Sequence, residues 1–165
     1  LAAGYLTALM AAGWTVGSLV SSGRSPAAVQ ALVRSGPLVV VIALVTLAIV
    51  MPPQRLLAGG PGLAALCAAL AAVGVGIGIG WPHLLTQVLT NAPAGQEDLA
   101  SISITTVQLY ATAIGSALAG LVANLAGFSE PGGLVGAQHA AVWLFAVFAT
   151  APVLAALVAR RVRTR

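Results

Sequence analysis

Five apolar stretches, each long enough to cross a bilayer, dominate this sequence and restrict the folds open to it. They cover about residues 1–21, 32–51, 61–90, 99–126 and 140–159, and a membrane-spanning helix needs roughly 20 mainly apolar residues. Charged residues make up only 6% of the chain, against roughly 25% in an average soluble domain. A soluble surface cannot be covered from this composition, whereas a lipid-facing surface needs no charge. The sequence therefore predicts an all-α membrane protein of about five transmembrane helices.

Residues that end helices are concentrated between these stretches. The turns contain Ser25-Pro26, Pro52-Pro53, Gly59-Gly60-Pro61, Pro93-Ala94-Gly95 and Pro131-Gly132-Gly133. The first stretch has no basic segment before it and no small-residue cleavage site after it, so it does not read as a signal peptide. We interpret the start as internal and expect an N-terminal portion of the protein to precede it.

The arginines predict the orientation in the membrane. Four of the seven stand in the tail formed by residues 160–165. If this tail is cytoplasmic, the same side also holds Arg24 and Arg34, and the outer side holds only Arg55. This distribution agrees with the positive-inside rule. The sequence thus predicts a multi-pass protein of the plasma (inner) membrane with a cytoplasmic C-terminus, and a terminal basic cluster of this kind does not predict nucleic acid as a partner.

A stripe of uncharged polar residues runs along the fourth stretch. Its members recur every three or four residues and fall within an arc of about 80° on an α-helix. They are Ser101, Thr105, Gln108, Thr112 and Ser116. In a membrane helix such a stripe predicts a pathway for a small-molecule substrate or for water. Hydrogen bonding between neighbouring helices is the alternative interpretation of the same pattern.

Polar residues of the first and third stretches extend the set of candidate pathway residues. Thr7, Trp14 and Ser18 lie within an arc of about 60° on the first helix. His83 and Gln87 share one side of the third. An ionisable residue inside a membrane segment predicts a functional role, and histidine titrates near neutral pH. The alternatives are that the first helix uses this face only for packing and that His83 hydrogen-bonds near the interface.

Glycines recur at helical spacing in the first and third stretches, and in the fourth Gly115 stands in a row of small residues with Ala111 and Ala119. A Gly-xxx-Gly pattern lets two helix backbones approach closely, so we predict helix packing at Gly13, Gly17, Gly74, Gly76, Gly78, Gly80 and Gly115. We also expect Pro82 and Pro152 to bend the third and fifth helices, because proline lacks the amide hydrogen of the helical bond.

An enzyme is not predicted. No acidic residue or lysine lies within any apolar stretch, and His83 and His139 fall at different depths of the membrane. A catalytic base, a metal-ligand set and a nucleophile paired with histidine are therefore missing from the pattern. The sequence predicts no catalytic residue, no metal and no cofactor.

Three segments, taken in order, resemble the C-terminal half of a major facilitator superfamily transporter, in particular the bacterial drug/proton antiporter-like members. Gly13 and Gly17, followed by the loop with Arg24, are similar to family helix eight. The run 74–80 followed by Pro82 is similar to helix ten. The segment 93–101, followed by Gln108 and Gly115, is similar to the opening of helix eleven. Ser21 and Ser22 depart from the pattern, since the family often has Asp and Arg there.

The resemblance implies that the five spans are helices eight to twelve of a major facilitator fold. It also implies a cavity bordered by helices eight, ten and eleven, the helices on which the polar residues stand. The expected function is secondary active transport, with export of small molecules by alternating access between this bundle and a missing N-terminal half. A membrane scaffold or subunit that does not transport is the alternative, in which the polar stripes only join helices.

Overall fold

The structure, a computed structural model, describes residues 2–51 and 60–161, which form helices and no strand. This confirms the prediction of an all-α membrane protein. The helices are α1 Ala2–Ser21, α2 Pro26–Val50, α3 Gly60–Gly78, α4 Trp81–Thr90, α5 Glu97–Leu125, α6 Gly133–Phe148 and α7 Thr150–Ala159.

Four helical segments of the described chain are long and apolar enough to cross a membrane. They are Pro26–Val50, Gly60–Thr90, Glu97–Leu125 and Gly133–Ala159. The second joins α3 to α4, and the fourth joins α6 to α7. The predicted first span corresponds to α1, which is 20 residues long but is not among the four.

Two helices begin earlier than the apolar stretches from which they were predicted. α2 begins at Pro26, before the predicted limit at residue 32, because the chain supplies a cap there. The Ser25 hydroxyl accepts a hydrogen bond from the Ala28 amide at 3.4 Å, and Pro26 occupies the first turn, where its missing amide hydrogen costs nothing. α6 begins at Gly133, before the predicted limit at residue 140.

Two of the long spans are interrupted close to a proline. The third span leaves the helix at Ile79 and Gly80 and resumes as α4, with Pro82 in its first turn. The last span is interrupted at Ala149, shortly before Pro152. α2, by contrast, continues through Pro37. A proline inside a helix removes one hydrogen bond and pushes against the preceding turn, which accounts for breaks at these places.

α3 lies between α1 and α2 and is the centre of the bundle. α2 also packs against α6 and α7, while α5 contacts α6 and α4. A small core joins α2 to α3 through Ala43, Leu47, Leu66, Ala69 and Val73. Leu47 is only 1% exposed, so the packing is tight where these two helices meet.

α1 and α5 turn most of their surface away from the other described helices. α5 has no buried residue along its whole length, and Leu125 on it is 79% exposed. Apolar side chains exposed over such an area are typical of surfaces that face lipid or another part of a protein.

Candidate functional site

Glycines hold α1 against α3 at backbone distance. A Cβ atom placed on Gly13 would overlap the Ala71 carbonyl, and one on Gly17 would lie 2.8 Å from the Val75 carbonyl oxygen. The contact is reciprocal, since a Cβ atom on Gly74 or Gly78 would overlap a carbonyl of α1. Only hydrogen fits at these positions, so the main chains themselves form the contact.

A second close contact joins α3 to α2. A Cβ atom on Gly76 would lie 2.8 Å from the Gly36 carbonyl oxygen, and one on Gly36 would lie 2.6 Å from the Gly76 carbonyl oxygen. The sequence analysis placed Gly36 within the predicted span 32–51 but did not single it out, because that stretch contains no second glycine to form a Gly-xxx-Gly pattern.

Two other glycines of the predicted packing set have different surroundings. Gly80 lies beyond the end of α3, where an added Cβ atom would make an ordinary contact of 3.8 Å with the Val33 Cα. Gly115 on α5 would meet nothing within 4 Å. The predicted packing role therefore does not fit Gly115 within the described part of the chain.

Ser18 bonds to α3 in this structure. Its hydroxyl donates to the Gly78 carbonyl oxygen at 3.2 Å. Gly78 stands four residues before Pro82, which has no amide hydrogen to offer that carbonyl in a continuous helix. The serine thus satisfies an acceptor at the helix break, and this surrounding differs from the open pathway predicted for Ser18.

We predict that Ser18→Ala lowers stability through this carbonyl. An unpaired acceptor in a membrane interior costs about 1–2 kcal/mol, which corresponds to a decrease in Tm of roughly 5 °C in a chain of this size. The matched control is Ser22→Ala, because the exposed Ser22 hydroxyl only bonds back to the Ser18 carbonyl of its own helix at 2.8 Å. Thermal unfolding in detergent measures the Tm of both variants. Equal Tm values for Ser18→Ala and Ser22→Ala would contradict the role of Ser18 as hydrogen-bond donor to the Gly78 carbonyl.

The polar stripe of α5 bonds mainly to its own helix. Thr105, Thr112 and Ser116 each donate to the carbonyl four residues earlier, at 3.2, 2.8 and 2.8 Å. All members of the stripe are exposed, and no hydrogen bond joins them to another described helix. Hydroxyls satisfied in this way need no partner helix.

Gln108 lies at the centre of the stripe, on the side of α5 that carries its partly covered residues. Around the helix axis it lies about 20° from Ala119 and about 40° from Ile104 and Val122, all of which are half-buried. Gln108 itself is exposed. Gln108 therefore lies on the side of α5 that carries the partly covered residues, yet no other described helix covers its side chain. An amide has two donor hydrogens and an acceptor oxygen to offer there.

α4 presents His83 and Gln87 beside the break in the third span. The His83 Nε2 atom is buried and has no hydrogen-bond partner among the described residues. Both side chains are half-buried. The backbone carbonyl of Gln87 accepts a hydrogen bond from the side-chain amide of Asn91 at 2.7 Å. α4 packs against α5. Together these two helices carry most of the predicted pathway residues.

Thr7 and Trp14 stand on the side of the bundle formed by α1. Both are exposed, and the Thr7 hydroxyl donates to the Gly4 carbonyl at 2.9 Å. The Trp14 backbone faces Gly78 of α3, while its side chain is 40% exposed. Among the candidate pathway residues of α1, Thr7 and Trp14 are therefore exposed, whereas Ser18 is packed against α3.

Comparisons with known proteins give two close matches. Over 159 residues the chain is 40% identical to proteins from two strains of Mycobacterium tuberculosis, CDC 1551 and H37Rv, each called a probable multidrug-efflux transporter. The match covers 94% of this chain and 32% of each relative. No family model matches the chain, and no solved structure matches it. The chain is thus similar, over almost its whole length, to about a third of a probable multidrug-efflux transporter.

Proposed function

We propose that this chain is the C-terminal part of a secondary active transporter that exports small molecules. The observation that carries the proposal is the open polar stripe centred on Gln108, in a chain 40% identical to probable multidrug-efflux transporters. In the major facilitator arrangement that the sequence resembles, α1, α3–α4 and α5 would be helices eight, ten and eleven around a central cavity. α2 and α6–α7 would be the outer helices nine and twelve.

The rest of the transporter would cover the outward faces of α1 and α5. The chain spans about a third of its relatives' length, and these two helices expose the most surface in the bundle. A second bundle packed there would enclose the stripe between two halves. Rocking of one half against the other would then open the enclosed site to each side of the membrane in turn.

The pathway residues favour a substrate that is largely uncharged or amphipathic where it meets this half. The described spans offer hydroxyls, amides and apolar side chains, and the acidic residues Glu97 and Asp98 stand at the first turn of α5. Acids there complement the helix dipole. Among the described residues, His83 has a buried Nε2 atom without a hydrogen-bond partner, and this atom would be available for a hydrogen bond with the substrate.

The protein would lie in the plasma (inner) membrane with both the loop before α2 and the end of α7 in the cytoplasm. Arg34, in the first part of α2, lies beside the end of α7, since its guanidinium donates a hydrogen bond to the Arg160 carbonyl at 3.3 Å. The basic residues of this end then face the cytoplasm, as the positive-inside rule requires.

Gln108→Ala tests the proposed pathway. In the transporter expressed in the longest form that its gene encodes, we expect at least a tenfold loss of transport with the Tm within about 2 °C of wild type, because an exposed side chain contributes little to stability. Leu109→Ala is the control, since Leu109 is 67% exposed on another side of α5 and should keep both values. Drug efflux from cells and thermal unfolding of the purified protein give the two measurements.

The alternative function, a scaffold that does not transport, predicts a different pair of results. If the stripe joins helices in the complete protein, Gln108→Ala lowers the Tm and leaves efflux unchanged relative to the expressed amount. If Gln108→Ala has both normal efflux and a normal Tm, the stripe is not part of the functional surface.

A further inference from the structure

An apolar cavity of about 200 Å³ lies between α2, α3, α4 and α7, apart from the polar stripes. Two prolines and one helix break lie around it: Pro37 within the continuous α2, Gly80 at the break before α4, and Pro152 after the break in the last span. Its other lining residues include Val40, Trp81 and Ala155. Prolines and helix breaks prevent close packing, so they keep a space open that is shaped for an apolar group.

Basic residues stand at the end of this cavity that the proposed orientation makes cytoplasmic. Val33 lines the cavity and is followed by Arg34, whose Nη2 donates to the Arg160 carbonyl at 3.3 Å at the end of α7. Arg161 follows directly. Within the described ranges none of these three arginines has an ion pair, and the Arg34 guanidinium keeps further donor hydrogens beyond the one used.

We propose that the cavity and these arginines form a binding site for an anionic phospholipid. The headgroup phosphate would bind the guanidinium groups of Arg34 and Arg161, and one acyl chain would occupy the cavity beside Trp81. Guanidinium groups match phosphate oxygens in charge and geometry, and basic pockets between membrane helices favour acidic headgroups. The apolar cavity adjoining the arginines favours a lipid over a free phosphate, and the unpaired positive charge favours an anionic lipid over a zwitterionic one.

Lipid binding to the purified protein, in the longest form that its gene encodes, tests the headgroup. Native mass spectrometry compares phosphatidylglycerol with phosphatidylcholine of the same acyl chains. We expect the apparent Kd to be at least roughly fivefold lower for phosphatidylglycerol, the factor expected from one arginine. Arg34→Gln should remove this preference. Arg24→Gln should keep it, because the Arg24 Nε only bonds to the Val20 carbonyl at 3.0 Å, and Arg24 does not line the cavity.

Quenching of tryptophan fluorescence by brominated phosphatidylglycerol tests the acyl chain. The brominated lipid should quench the tryptophan fluorescence of the wild-type protein more than that of Trp81→Phe. The difference in quenching reports an acyl chain beside Trp81. Ala155→Phe, which fills the cavity, should abolish the difference. Ala151→Phe, on an exposed position of α7 outside the lining, should preserve it. Inorganic phosphate should not displace the lipid.

Four results would overturn the proposal. Equal affinity for the two lipids would mean that the arginines do not select the headgroup, and an equal effect of Arg24→Gln would mean a general surface charge. Quenching that persists in Ala155→Phe would place the acyl chain elsewhere. Full displacement by inorganic phosphate would indicate a site for free phosphate.

Discussion

Gly74→Ala is expected to lower the Tm by roughly 10 °C and to reduce the yield of folded protein sharply. The added methyl group would overlap the Met10 carbonyl and lie 2.7 Å from the Trp14 amide nitrogen. These are backbone atoms, so no rotamer change relieves the overlap, and α1 must move away from α3. Overpacking of this kind costs about 3 kcal/mol at the upper end of its usual range.

Gly120→Ala on α5 is the matched control for Gly74→Ala. Nothing lies within 4 Å of a Cβ atom at Gly120, and alanine favours a helix over glycine by about 0.5–1 kcal/mol. The control should therefore have an unchanged or slightly higher Tm. Thermal unfolding in detergent, followed by size-exclusion fluorescence, measures both variants. A Tm for Gly74→Ala equal to that of the control would show that α1 and α3 do not meet at these glycines.

Cysteine labelling should separate the two ends of the bundle completely. In a background without other cysteines, Ser22→Cys should not react with an impermeant thiol reagent in intact cells and should react after permeabilisation. Ser129→Cys should react in intact cells. Both serines are exposed in loops, so accessibility to the reagent depends on the side of the membrane. The expectation follows from the arginines that stand at the end containing Ser22.

The reverse labelling pattern would place the arginine-rich end outside and remove the proposed orientation. Labelling of both positions in intact cells would mean that the loops do not lie on opposite sides, and so that α2 to α5 do not alternate across the membrane as proposed. A permeabilised sample of Ser22→Cys is the internal control, because it shows that the thiol is reactive once the reagent reaches it.

Local pattern predicted the helices and several of their irregularities. A run of apolar residues sets a membrane helix whatever its neighbours are, and a proline such as Pro82 interrupts hydrogen bonding wherever it stands. Glycine spacing likewise indicated that Gly74 and Gly78 have a contact face. The early start of α2 was missed because apolar stretches were used as limits, and Ser25 with Pro26 extends the helix into more polar sequence.

The surroundings of particular side chains could not be predicted to the same extent. Spacing places Ser18 and Gln108 on faces of their helices, but only the packing of α1 on α3 shows that Ser18 meets the Gly78 carbonyl. The exposure of Gln108 likewise depends on how α5 stands relative to α4 and α6. The apolar cavity at Trp81 was not foreseen, since its lining comes from positions distant in the sequence.

The absence of any buried residue on α5 has a consequence for how such a protein can change over generations. Substitutions at Thr105, Gln108 or Thr112 remove no packing from the described bundle, because those side chains are exposed and the two threonines bond only to their own helix. The contact of α1 with α3, in contrast, tolerates almost no variation at Gly13 or Gly74. In the proposed transporter, single substitutions on α5 would therefore change substrate preference without a compensating change elsewhere in this half.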